Sequence, residues 1–451
     1  MSTFILPIET AARELDAKLL LAVQIAARGG VVIVGSHARI NNRLHVLPVR
    51  AGDVYVSQTI IRAKRRLFGI LAKMGLRIAA WDEEGFVWRS AEFYRHRRLD
   101  AANFRRLVRF YAWGEQQAAV VRRAFPDLAA SRLVVTGNPR QDLLAEPFRP
   151  LFAETAATLR REFGDYILVN SNFGSLNHAR DPHPKLEKSE AELEAIAARS
   201  IHDLGYIRFR YRIFRSFLDL LPALSEALSD HVIVVRPHPS ENPAVWEMAA
   251  RGLANVIVRY EHDLVPWLMA ARAIIHNGCT TAIEAALLGR PVIEYRLEEN
   301  AEWENPQPAA VSIPARSPDE VIRLVREGMP AMERAAVEAA LSDIMFGWND
   351  GLASARIAED LMRIIEEPCA DPPVIVRLTG LAASAWRGAE KWLTGRLVPS
   401  KSANPAYIDK KFPPMAEERV QARLACLAGL ADLPVPRLET LGDRIWRVVP
   451  S

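Results

Sequence analysis

Short apolar runs rich in valine and isoleucine alternate with amphipathic helical segments along most of this chain. In the first part these runs occupy residues 4–8, 31–34, 54–57, 77–81 and 133–136. In the second part they occupy residues 166–170, 231–235, 256–258, 273–276 and 291–295. Apolar strands separated by helices are typical of parallel sheets that helices cover on both faces. The pattern predicts an α/β fold with two successive Rossmann-like, doubly wound domains.

The length of 451 residues agrees with two or three domains, because a single hydrophobic core stops growing at roughly 250–300 residues. Pro147 and Pro150 follow a helical stretch and place the predicted boundary between a first domain, residues 1–147, and a second, residues 148–365. A proline-rich linker begins at Asp371. Residues 366–451 are therefore predicted to form a mainly helical, partly extended C-terminal extension, which either packs back on the first domain or contacts a membrane surface.

Composition excludes several classes of protein. The 58 Lys and Arg residues against 54 Asp and Glu residues give a net charge of only +4, so no nucleic-acid partner is expected. Cys279, Cys369 and Cys426 lie far apart, which excludes a four-cysteine zinc site and fits a reducing compartment. The first residues lack a basic leader, and no run of 18 uncharged apolar residues occurs. The chain is expected in the cytoplasm, with peripheral contact to the inner membrane as an option.

The segment Arg236-Pro237-His238-Pro239 directly follows one of the predicted buried strands. Two prolines fix the backbone on either side of His238, so its imidazole is held in one direction. Together with Ser240, this cationic turn suits the binding of a phosphorylated ligand. A plain strand exit would explain the prolines equally well.

Asp82, Glu83 and Glu84 precede Gly85 at the end of a predicted strand in the first domain. Neighbouring carboxylates raise one another's pKa, and such a group can accept a proton as a general base. A solvated acidic turn is the alternative. The position at the carboxyl end of a strand favours function, because ligands of open α/β sheets bind there.

Asn277, Gly278, Thr280 and Thr281 form a turn between another strand and a helix. The unpaired amides of a helix start can hold a phosphate, and the threonine hydroxyls add donors. An ordinary N-cap, completed by Glu284, is the alternative.

A long strand exit after residue 170 contains Asn172. Its amide can contact a sugar or a nucleobase without the cost of a buried charge. A turn capped by its own side chain is the alternative.

In combination, these motifs resemble two groups of bacterial proteins. The turn at His238 resembles the His-Pro motif of GT-B sialyltransferases and Kdo transferases, residues 82–85 resemble their Asp/Glu-Asp/Glu-Gly motif, and Thr280-Thr281 resembles their Ser/Thr motif. Residues 6–9, 82–85, 136–140 and 170–174 also resemble the bacterial surface carbohydrate biosynthesis proteins, over roughly residues 1–365.

The resemblance implies a GT-B-like fold whose two domains face a cleft, the first binding the acceptor and the second the donor. The implied reaction moves an ulosonic acid, Kdo or a sialic-type nonulosonic acid, from a CMP-sugar to a surface glycan acceptor, as in capsule or lipopolysaccharide synthesis. It needs no metal and no cofactor besides the donor. Among the three acids, Glu83 would be the general base, with Glu84 and Asp82 less favoured. His238 would contact the CMP phosphate or assist its departure.

The resemblance also supplies the remaining site residues. The residues expected to bind the nucleotide donor are Arg236, Pro239, Ser240, Asn172, Asn277, Gly278, Thr280, Thr281 and Glu284. Gly137, Asn138 and Arg140, just before the domain boundary, are expected at the hinge and the cleft. The acceptor would be a glycan or a lipid-linked molecule.

Two other functions remain open at this point. The same two-domain arrangement resembles transferases that move glycerol phosphate from CDP-glycerol, in which case the donor would be CDP-glycerol. A non-catalytic component of a glycan assembly complex that binds a sugar nucleotide is the second.

Overall fold

The computed structural model describes residues 2–179, 181, 183–200, 202–259, 263–397, 404, 408, 409 and 411–451. The chain divides into two compact units. Unit 1 comprises Met1–Leu151 and Leu341–Ser451, and unit 2 comprises Phe152–Ala340. The predicted boundary after residue 147 lies close to the first division. Residues 341–365, which the sequence placed in the second domain, belong to unit 1.

The described strands are numbered in chain order. They are β1 Thr3–Ile8, β2 Val31–Ser36, β3 Val54–Ser57, β4 Arg77–Ala80, β5 Leu107–Ala112, β6 Leu133–Val135, β7 Ile167–Asn170, β8 Ile233–Arg236, β9 Val256–Val258, β10 Ala273–His276, β11 Val292–Tyr295, β12 Ile313–Ala315, β13 Arg437–Gly442 and β14 Ile445–Val449.

The helices are numbered in the same way. They are α1 Ala11–Ala27, α2 His37–Arg43, α3 Arg65–Lys73, α4 Ala91–Arg98, α5 Ala101–Phe104, α6 Glu115–Ala124, α7 Pro126–Arg132, α8 Pro139–Asp142, α9 Pro150–Phe163, α10 Glu190–Arg199, α11 Leu204–Ala227, α12 Pro243–Ala249, α13 Leu264–Ala270, α14 Thr281–Leu287, α15 Pro306–Ala309, α16 Pro318–Arg326, α17 Arg334–Leu341, α18 Ala353–Glu366, α19 Val374–Leu397 and α20 Glu417–Leu430. Arg62–Lys64 and Glu146–Phe148 form short 3-10 helices.

The sheet of unit 1 has the strand order β13-β14-β2-β1-β3-β4-β5-β6. Strands β1 to β6 are parallel, and β14 joins β2 antiparallel. All residues of β1 and β2 are buried, as expected for strands covered on both faces. After β2 the chain continues on the other side of β1, so the direction of winding reverses between β1 and β3. Ligands of doubly wound sheets bind at such a reversal.

The sheet of unit 2 has the strand order β12-β11-β10-β7-β8-β9, and all of its pairs are parallel. From β7 the chain winds to β9 on one side and then, from β10, to β12 on the other. The reversal therefore lies between β7 and β10. Its core packs the buried side chains of the sheet against α11, with Phe173, Phe214 and Trp246 in direct ring contact.

The returning segment after residue 341 packs on unit 1 through specific contacts. Asp142 accepts hydrogen bonds from the first amides of α18, Ala353 N at 2.9 Å and Ser354 N at 2.7 Å. Arg109 of β5 pairs with Asp360 of α18 at 2.8 Å. These buried contacts explain why α18 belongs to unit 1.

The C-terminal extension also packs on unit 1. Helix α19 lies against α2 and α3, and α20 lies against α1, where Arg423 bonds Asp16 at 2.7 Å. The predicted α/β fold with two doubly wound units and a helical C-terminal region is confirmed. The extension also ends in the hairpin β13-β14, which the sequence did not predict. That the two units face a cleft stays a prediction.

Candidate functional site

A pocket of about 250 Å³ lies in unit 2 at the carboxyl ends of its central strands. The loops after β7, β8, β10 and β11 contribute to its wall, so it sits where the winding of the sheet reverses. One side of α11 and residues 303–305 complete the wall. The residues that line it are Asn172, Gly174, Ser175, Tyr206, Phe209, Arg210, Ile213, Ser240, Asn277, Gly278, Glu294, Arg296, Trp303, Glu304 and Asn305.

Three side chains of this pocket carry buried polar atoms that lack a hydrogen-bond partner among the described residues. They are both amide atoms of Asn277, Nε of Arg296 and Nε1 of Trp303. Asn277 is only 4% exposed. A buried polar atom without a partner costs about 1–3 kcal/mol, so such atoms are rare in folded proteins. Their convergence on one pocket indicates a site built to bind a polar ligand.

The charges of the pocket centre on Arg296. Its guanidinium lies 3.2 Å from Glu304, 3.3 Å from Glu299 and 3.6 Å from Glu294. Burial raises the pKa of Glu294 to about 7, against the opposing charge of Arg296. Glu294 can therefore gain or lose a proton near neutral pH, which suits either a donor or an acceptor role toward a ligand hydroxyl.

Aromatic rings form part of the same wall. The ring of Trp303 lies 5.3 Å from that of Phe209 and 6.3 Å, edge to face, from that of Tyr206. Such faces bind planar rings and the apolar faces of sugars. Beside them, Arg210 donates to the main-chain oxygen of Asn172 and thereby fixes the loop after β7.

Glu241 holds the loops after β7 and β8 together. Its Oε1 accepts from Ser171 Oγ at 2.8 Å, from Phe173 N at 3.0 Å and from His238 N at 3.1 Å, and its Oε2 accepts from Trp246 Nε1 at 2.9 Å. Burial raises the pKa of Glu241, while these donors oppose the shift. The carboxylate thus shapes the turn that carries His238.

The imidazole of His238 is oriented by Ser240. The amide of Ser240 donates to Nδ1 at 3.2 Å, and the Ser240 hydroxyl lies 2.7 Å from the same nitrogen. Because Nδ1 accepts a hydrogen bond, the neutral ring carries its proton on Nε2. In this tautomer the Nε2–H group of His238 is a hydrogen-bond donor.

Gly174 leaves the space that Ser240 needs. A Cβ at position 174 would lie 2.0 Å from Ser240 Oγ. Any larger residue would displace the hydroxyl that orients His238. Gly174 therefore contributes to the orientation of His238 because it lacks a side chain.

The predicted donor residues separate into two groups. Asn172, Ser240, Asn277 and Gly278 line the pocket. The predicted residues that do not line it are His238, Arg236, Pro239, Thr280, Thr281 and Glu284.

Arg236 and the start of α14 lie beside the pocket. Burial lowers the pKa of Arg236, with the charges of Asp263 and Glu284 opposing this shift, so Glu284 faces Arg236. The hydroxyl of Thr281 contacts Cys279 Sγ at 3.2 Å, and Thr280 makes no side-chain cap. Their role in phosphate binding stays a prediction.

His276, at the end of β10, has a structural role. Its Nε2 lies 2.9 Å from Ser312 Oγ, which itself donates to Pro308 O at 2.7 Å. Burial, together with the charge of Arg296, lowers the pKa of His276 to about 3. The ring therefore stays neutral near neutral pH and does not serve as a proton carrier.

In unit 1 the three predicted acids have separate environments. Asp82 is fully buried and pairs with Arg98, whose Nε lies 2.9 Å from it. Glu84 is partly exposed and pairs with Arg13 at 2.6 Å. Burial would raise the pKa of Glu84, but the charges of Arg13, Arg140 and Arg98 outweigh burial and lower it to about 2. Glu84 is therefore a weak base at neutral pH.

Glu83 belongs to a buried group of charges, which we call the Lys18 cluster: Glu14, Lys18, Glu83 and Arg140. Glu83 Oε1 accepts from Trp81 Nε1 at 2.7 Å and lies 3.5 Å from Lys18 Nζ, and its Oε2 lies 3.9 Å from Arg140. Lys18 also stands 3.6 Å above the ring of Trp81. The role of Glu83 as a base stays a prediction.

The Lys18 cluster lies where the winding of the unit 1 sheet reverses. Glu14 accepts from the amide of Thr10, just after β1, and from Gln58 Nε2, just after β3. Burial raises the pKa of Glu14, as does the charge of Glu83, while burial lowers that of Lys18. The cluster thus occupies the position in unit 1 that corresponds to the pocket in unit 2.

The residues predicted at the hinge lie at the end of β6. Gly137 has φ +77°, and Asn138 caps α8 by accepting from Arg140 N at 3.0 Å. Arg140 reaches the main-chain oxygen of Glu83 at 3.4 Å. Their contribution to a hinge or a cleft stays a prediction.

Sequence reasoning missed several residues of both sites. They are Glu14, Lys18, Arg210, Glu241, Glu294, Arg296 and Trp303. The run Ile293-Glu294-Tyr295-Arg296 held a signal, because a charge inside a strand expected to be apolar, with a second charge directly after the strand, is unusual. Glu241 gave a weaker signal by following the Arg-Pro-His-Pro turn directly.

Two searches of the described residues gave no candidate. No group of three or more His, Cys, Asp or Glu side chains in the described ranges could hold a metal ion. No helix within those ranges has the length and hydropathy needed to span a bilayer.

Comparison with protein-family profiles and with curated proteins finds no match. Among solved structures, a variant of the wall teichoic acid polymerase TagF matches with a TM-score of 0.44 and 14% identity, over 69% of this chain and 73% of that chain. UDP-GlcNAc 2-epimerase from Neisseria meningitidis, bound to UDP-GlcNAc, matches with a TM-score of 0.48 and 13% identity, over 80% and 100%. MnaA from S. aureus with UDP matches with a TM-score of 0.48 and 13% identity, over 82% and 100%. Likeness at this level assigns neither a family nor a substrate to this chain.

Proposed function

We propose that this protein is a glycosyltransferase whose unit 2 pocket binds the nucleotide of an activated sugar. The observation that carries the proposal is the convergence of unpartnered polar atoms of Asn277, Arg296 and Trp303 on a pocket at the reversal between β7 and β10. The proposed donor is a CMP-linked ulosonic acid, Kdo or a nonulosonic acid, and the proposed acceptor is a surface glycan or a lipid-linked precursor. The resemblance of the His238 and Glu83 motifs to sialyltransferases and Kdo transferases supports this donor. We place the reaction in the cytoplasm.

The pocket chemistry suits a nucleoside. The amide of Asn277 offers one acceptor and two donors, which match the mixed edge of a pyrimidine base. Glu294, with its pKa near 7, is suited to bind ribose hydroxyls. The rings of Trp303 and Phe209 supply an aromatic face.

The phosphate is assigned to His238. Its Nε2–H, set by the acceptor role of Nδ1, can donate to a phosphate oxygen. Donation to an oxygen that gains charge as the sugar–phosphate bond breaks stabilises the transition state more than the ground state. This role needs no metal ion, although it does not exclude one.

The reaction balances with the residues proposed for it. The acceptor hydroxyl oxygen forms a bond to the anomeric carbon, and the bond from that carbon to the phosphate oxygen breaks. CMP leaves with the electron pair, and the hydroxyl proton passes to Glu83. Glu83 accepts a hydrogen bond from Trp81 and pairs with Lys18, so we expect binding of the acceptor to rearrange those contacts.

A nucleotide panel tests the binding step. Thermal unfolding of the full chain with CMP, CDP, UDP and GDP should show the largest stabilisation with CMP, because a ligand that binds only the folded state raises its stability. Stronger stabilisation by CDP would support the CDP-glycerol alternative. Failure of every cytidine nucleotide to bind would contradict both transferase functions.

An assay with CMP-Kdo and CMP-nonulosonic acids tests the chemistry. Glu83→Gln and His238→Ala should each lower kcat by roughly 100- to 10,000-fold, as expected for a lost general base or phosphate donor. Binding of CMP should survive in Glu83→Gln. His183→Ala, at an exposed histidine of unit 2, is the matched control and should keep full activity. Nucleotide binding without transfer to any acceptor would favour the non-catalytic alternative.

A further inference from the structure

Helix α19 carries a row of large, solvent-exposed apolar side chains along one face. Trp386 is 70% exposed and Trp392 is 58% exposed. The other exposed large apolar side chains of this helix are Val374, Ile375, Leu378, Leu381, Leu393 and Leu397. Tryptophans exposed to this extent are uncommon on protein surfaces, and contiguous apolar patches mark interaction sites.

The two faces of α19 differ sharply. At 3.6 residues per turn, the exposed apolar side chains fall on one arc along the whole helix. The opposite arc packs on α2 and α3 through small residues: a Cβ on Gly380 would lie 2.8 Å from Met74 N, and one on Gly388 would lie 2.4 Å from Asn42 O. The acid of α19, Glu390, pairs with Arg66 of α3 at 2.6 Å. The helix is therefore anchored with its apolar arc directed outward.

The layer that carries this face is strongly basic. We define the α19 layer as α2, the 3-10 helix Arg62–Lys64, α3 and α19. By sequence it holds eleven Lys or Arg residues, namely Arg39, Arg43, Arg62, Lys64, Arg65, Arg66, Lys73, Arg377, Arg387, Lys391 and Arg396, against Glu390 as its one acid. By sequence the layer has a net charge of +10 in a chain of net charge +4. Two of its arginines, Arg39 and Arg65, pair with Asp443 and Asp100, which lie outside the layer, so the layer keeps an excess of cations after these pairs are counted.

We infer that the α19 layer docks unit 1 on an anionic lipid bilayer, with α19 lying in the plane of the headgroups and its apolar arc inserted. An interfacial helix combines an apolar face with a basic surround, and tryptophan favours the water–lipid boundary. Anionic headgroups complement a charge of +10. A second copy of this chain is a less favourable partner for the α19 layer. A symmetric contact would bring two positively charged layers together.

Docking of this kind explains the composition of α19. A helix that spans a bilayer needs about 20 consecutive apolar residues, whereas α19 carries Arg377, Arg387, Glu390 and Lys391 within its length. At 3.6 residues per turn those four charges fall outside the apolar arc, whereas Arg396, in the last turn, falls on it by sequence. The helix is built to lie on a membrane, where an acceptor linked to a lipid would be found.

Vesicle co-sedimentation of the full chain tests the inference. Vesicles of phosphatidylcholine with phosphatidylglycerol should bind the protein, and vesicles of phosphatidylcholine alone should bind it weakly. The double variant Trp386→Ser/Trp392→Ser should bind roughly 10- to 100-fold more weakly, because two large apolar side chains no longer enter the lipid. Leu352→Ser/Val435→Ser removes exposed apolar side chains of unit 1 outside the layer and is expected to bind like the parent.

Charge variants test the electrostatic part separately. Arg62→Gln and Lys73→Gln should each weaken binding to the anionic vesicles roughly 5-fold, and added salt should weaken binding by the parent. Both residues are exposed, so circular dichroism and the unfolding midpoint should match the parent.

Sedimentation velocity tests whether a second copy of this chain covers the apolar face of α19. A parent dimer that Trp386→Ser/Trp392→Ser converts to a monomer would show that a second copy covers the face, and would overturn the inference. Equal binding to both vesicle types, or equal binding by the tryptophan variant and the parent, would also overturn it. Nucleotide binding in solution should be unchanged in these variants, so this result is independent of the proposed transferase activity.

Discussion

The Lys18 cluster of unit 1 and the pocket of unit 2 occupy corresponding positions in two doubly wound sheets, yet the surroundings of Lys18 and of Asn277 differ. In the cluster, Lys18 lies between two buried carboxylates and the ring of Trp81. In the pocket, Asn277 has no partner for its amide among the described residues. The cluster places charges of opposite sign within 4 Å of one another, although Lys18 Nζ and Glu83 Oε2 also lack a hydrogen bond among the described residues. The pocket leaves the neutral amide of Asn277 without such a neighbour, so that amide is open to a ligand.

Glu84, next to the Lys18 cluster, and Glu294, in the pocket, differ in the direction of their pKa shifts. Glu84 lies among arginines, which outweigh burial and lower its pKa to about 2. Glu294 is buried beside other acids, and its pKa is raised to about 7 despite Arg296. Environment, more than residue type, therefore decides which carboxyl group can exchange a proton near neutral pH.

The largest expected effect tests the internal pairing of the Lys18 cluster. Lys18→Met leaves Glu14 and Glu83 buried without their shared cation, which should lower the free energy of unfolding by about 3–5 kcal/mol. Urea unfolding measures the change. Lys18→Met/Glu83→Gln should recover part of the loss, because it also removes one of the two carboxylates. Lys73→Met, at an exposed lysine, should change stability by no more than about 0.5 kcal/mol.

A small loss from Lys18→Met, equal to that of Lys73→Met, would show that the cluster does not depend on the lysine charge. The cluster would then resemble the pocket, with charges held in place by the fold and available to a ligand.

The second prediction concerns the pH dependence of unit 2. Below about pH 7 the folded state keeps a proton on Glu294, whereas the unfolded chain loses it near pH 4.5. Between these values the folded state binds more protons, so stability is highest at low pH and falls as pH rises, by about 3 kcal/mol in total. Urea midpoints at several pH values measure this slope.

Glu294→Gln should remove that part of the slope, because an amide does not titrate. Glu302→Gln, at an exposed acid in the following loop, should leave the slope unchanged. If Glu294→Gln and the parent had the same pH profile, Glu294 would be charged throughout, like Glu84.

The third prediction separates a ligand site from a structural one. Asn277→Ala removes an unpartnered amide, so the free energy of unfolding should change by no more than about 1 kcal/mol, while the affinity for the stabilising nucleotide falls roughly 10-fold. Asn255 is the matched control, since its amide donates to the main-chain oxygens of Ser225, Leu228 and His231.

Asn255→Ala should lower the free energy of unfolding by about 1–3 kcal/mol and leave nucleotide affinity unchanged. Calorimetry measures both affinities. An Asn277→Ala variant as unstable as Asn255→Ala would show that Asn277 has a structural role.

The last prediction concerns Gly174→Ala, whose expected loss of stability is small beside that of Lys18→Met. The new Cβ would contact Ser240 Oγ at 2.0 Å and displace the hydroxyl that orients His238. We expect kcat to fall roughly 10-fold, with a loss of stability of about 1 kcal/mol. In Gly69→Ala a Cβ would meet nothing within 4 Å, so activity should be kept. Full activity of Gly174→Ala would show that the Ser240 contact is dispensable.

Much of the fold could be predicted from strand composition. The ten predicted runs match strands. Valine and isoleucine side chains are buried in the central strands, whereas β6 and β9, at the edges of their sheets, are largely half-buried. β5 escaped prediction because Arg109 interrupts its apolar pattern, and only the tertiary structure supplies the partner Asp360. β12 contains Pro314, which is tolerated because this strand lies at the edge of the sheet.

The candidate site was predicted less completely than the fold. Asn172, Ser240, Asn277 and Gly278 line the pocket, and the turn at His238 lies at a strand end as expected. Trp303 and Arg210 come from a distant loop and from α11, and no local pattern connects them. The catalytic assignment of Glu83 and His238 stays a prediction.

The sequence by itself determined the alternation of strands and helices, the parallel sheets and the presence of polar loops at strand ends, because these depend on local periodicity and on the conformational limits of proline and glycine. The tertiary structure decided which charges pair and which polar atoms stay without a partner. Glu83 follows a buried strand and Glu294 lies in one. The folded units place Lys18 and Arg140 beside Glu83, and they bury Glu294 between Arg296 and Glu304. Charge pairing and desolvation depend on residues far apart in the chain, so local sequence patterns do not predict them.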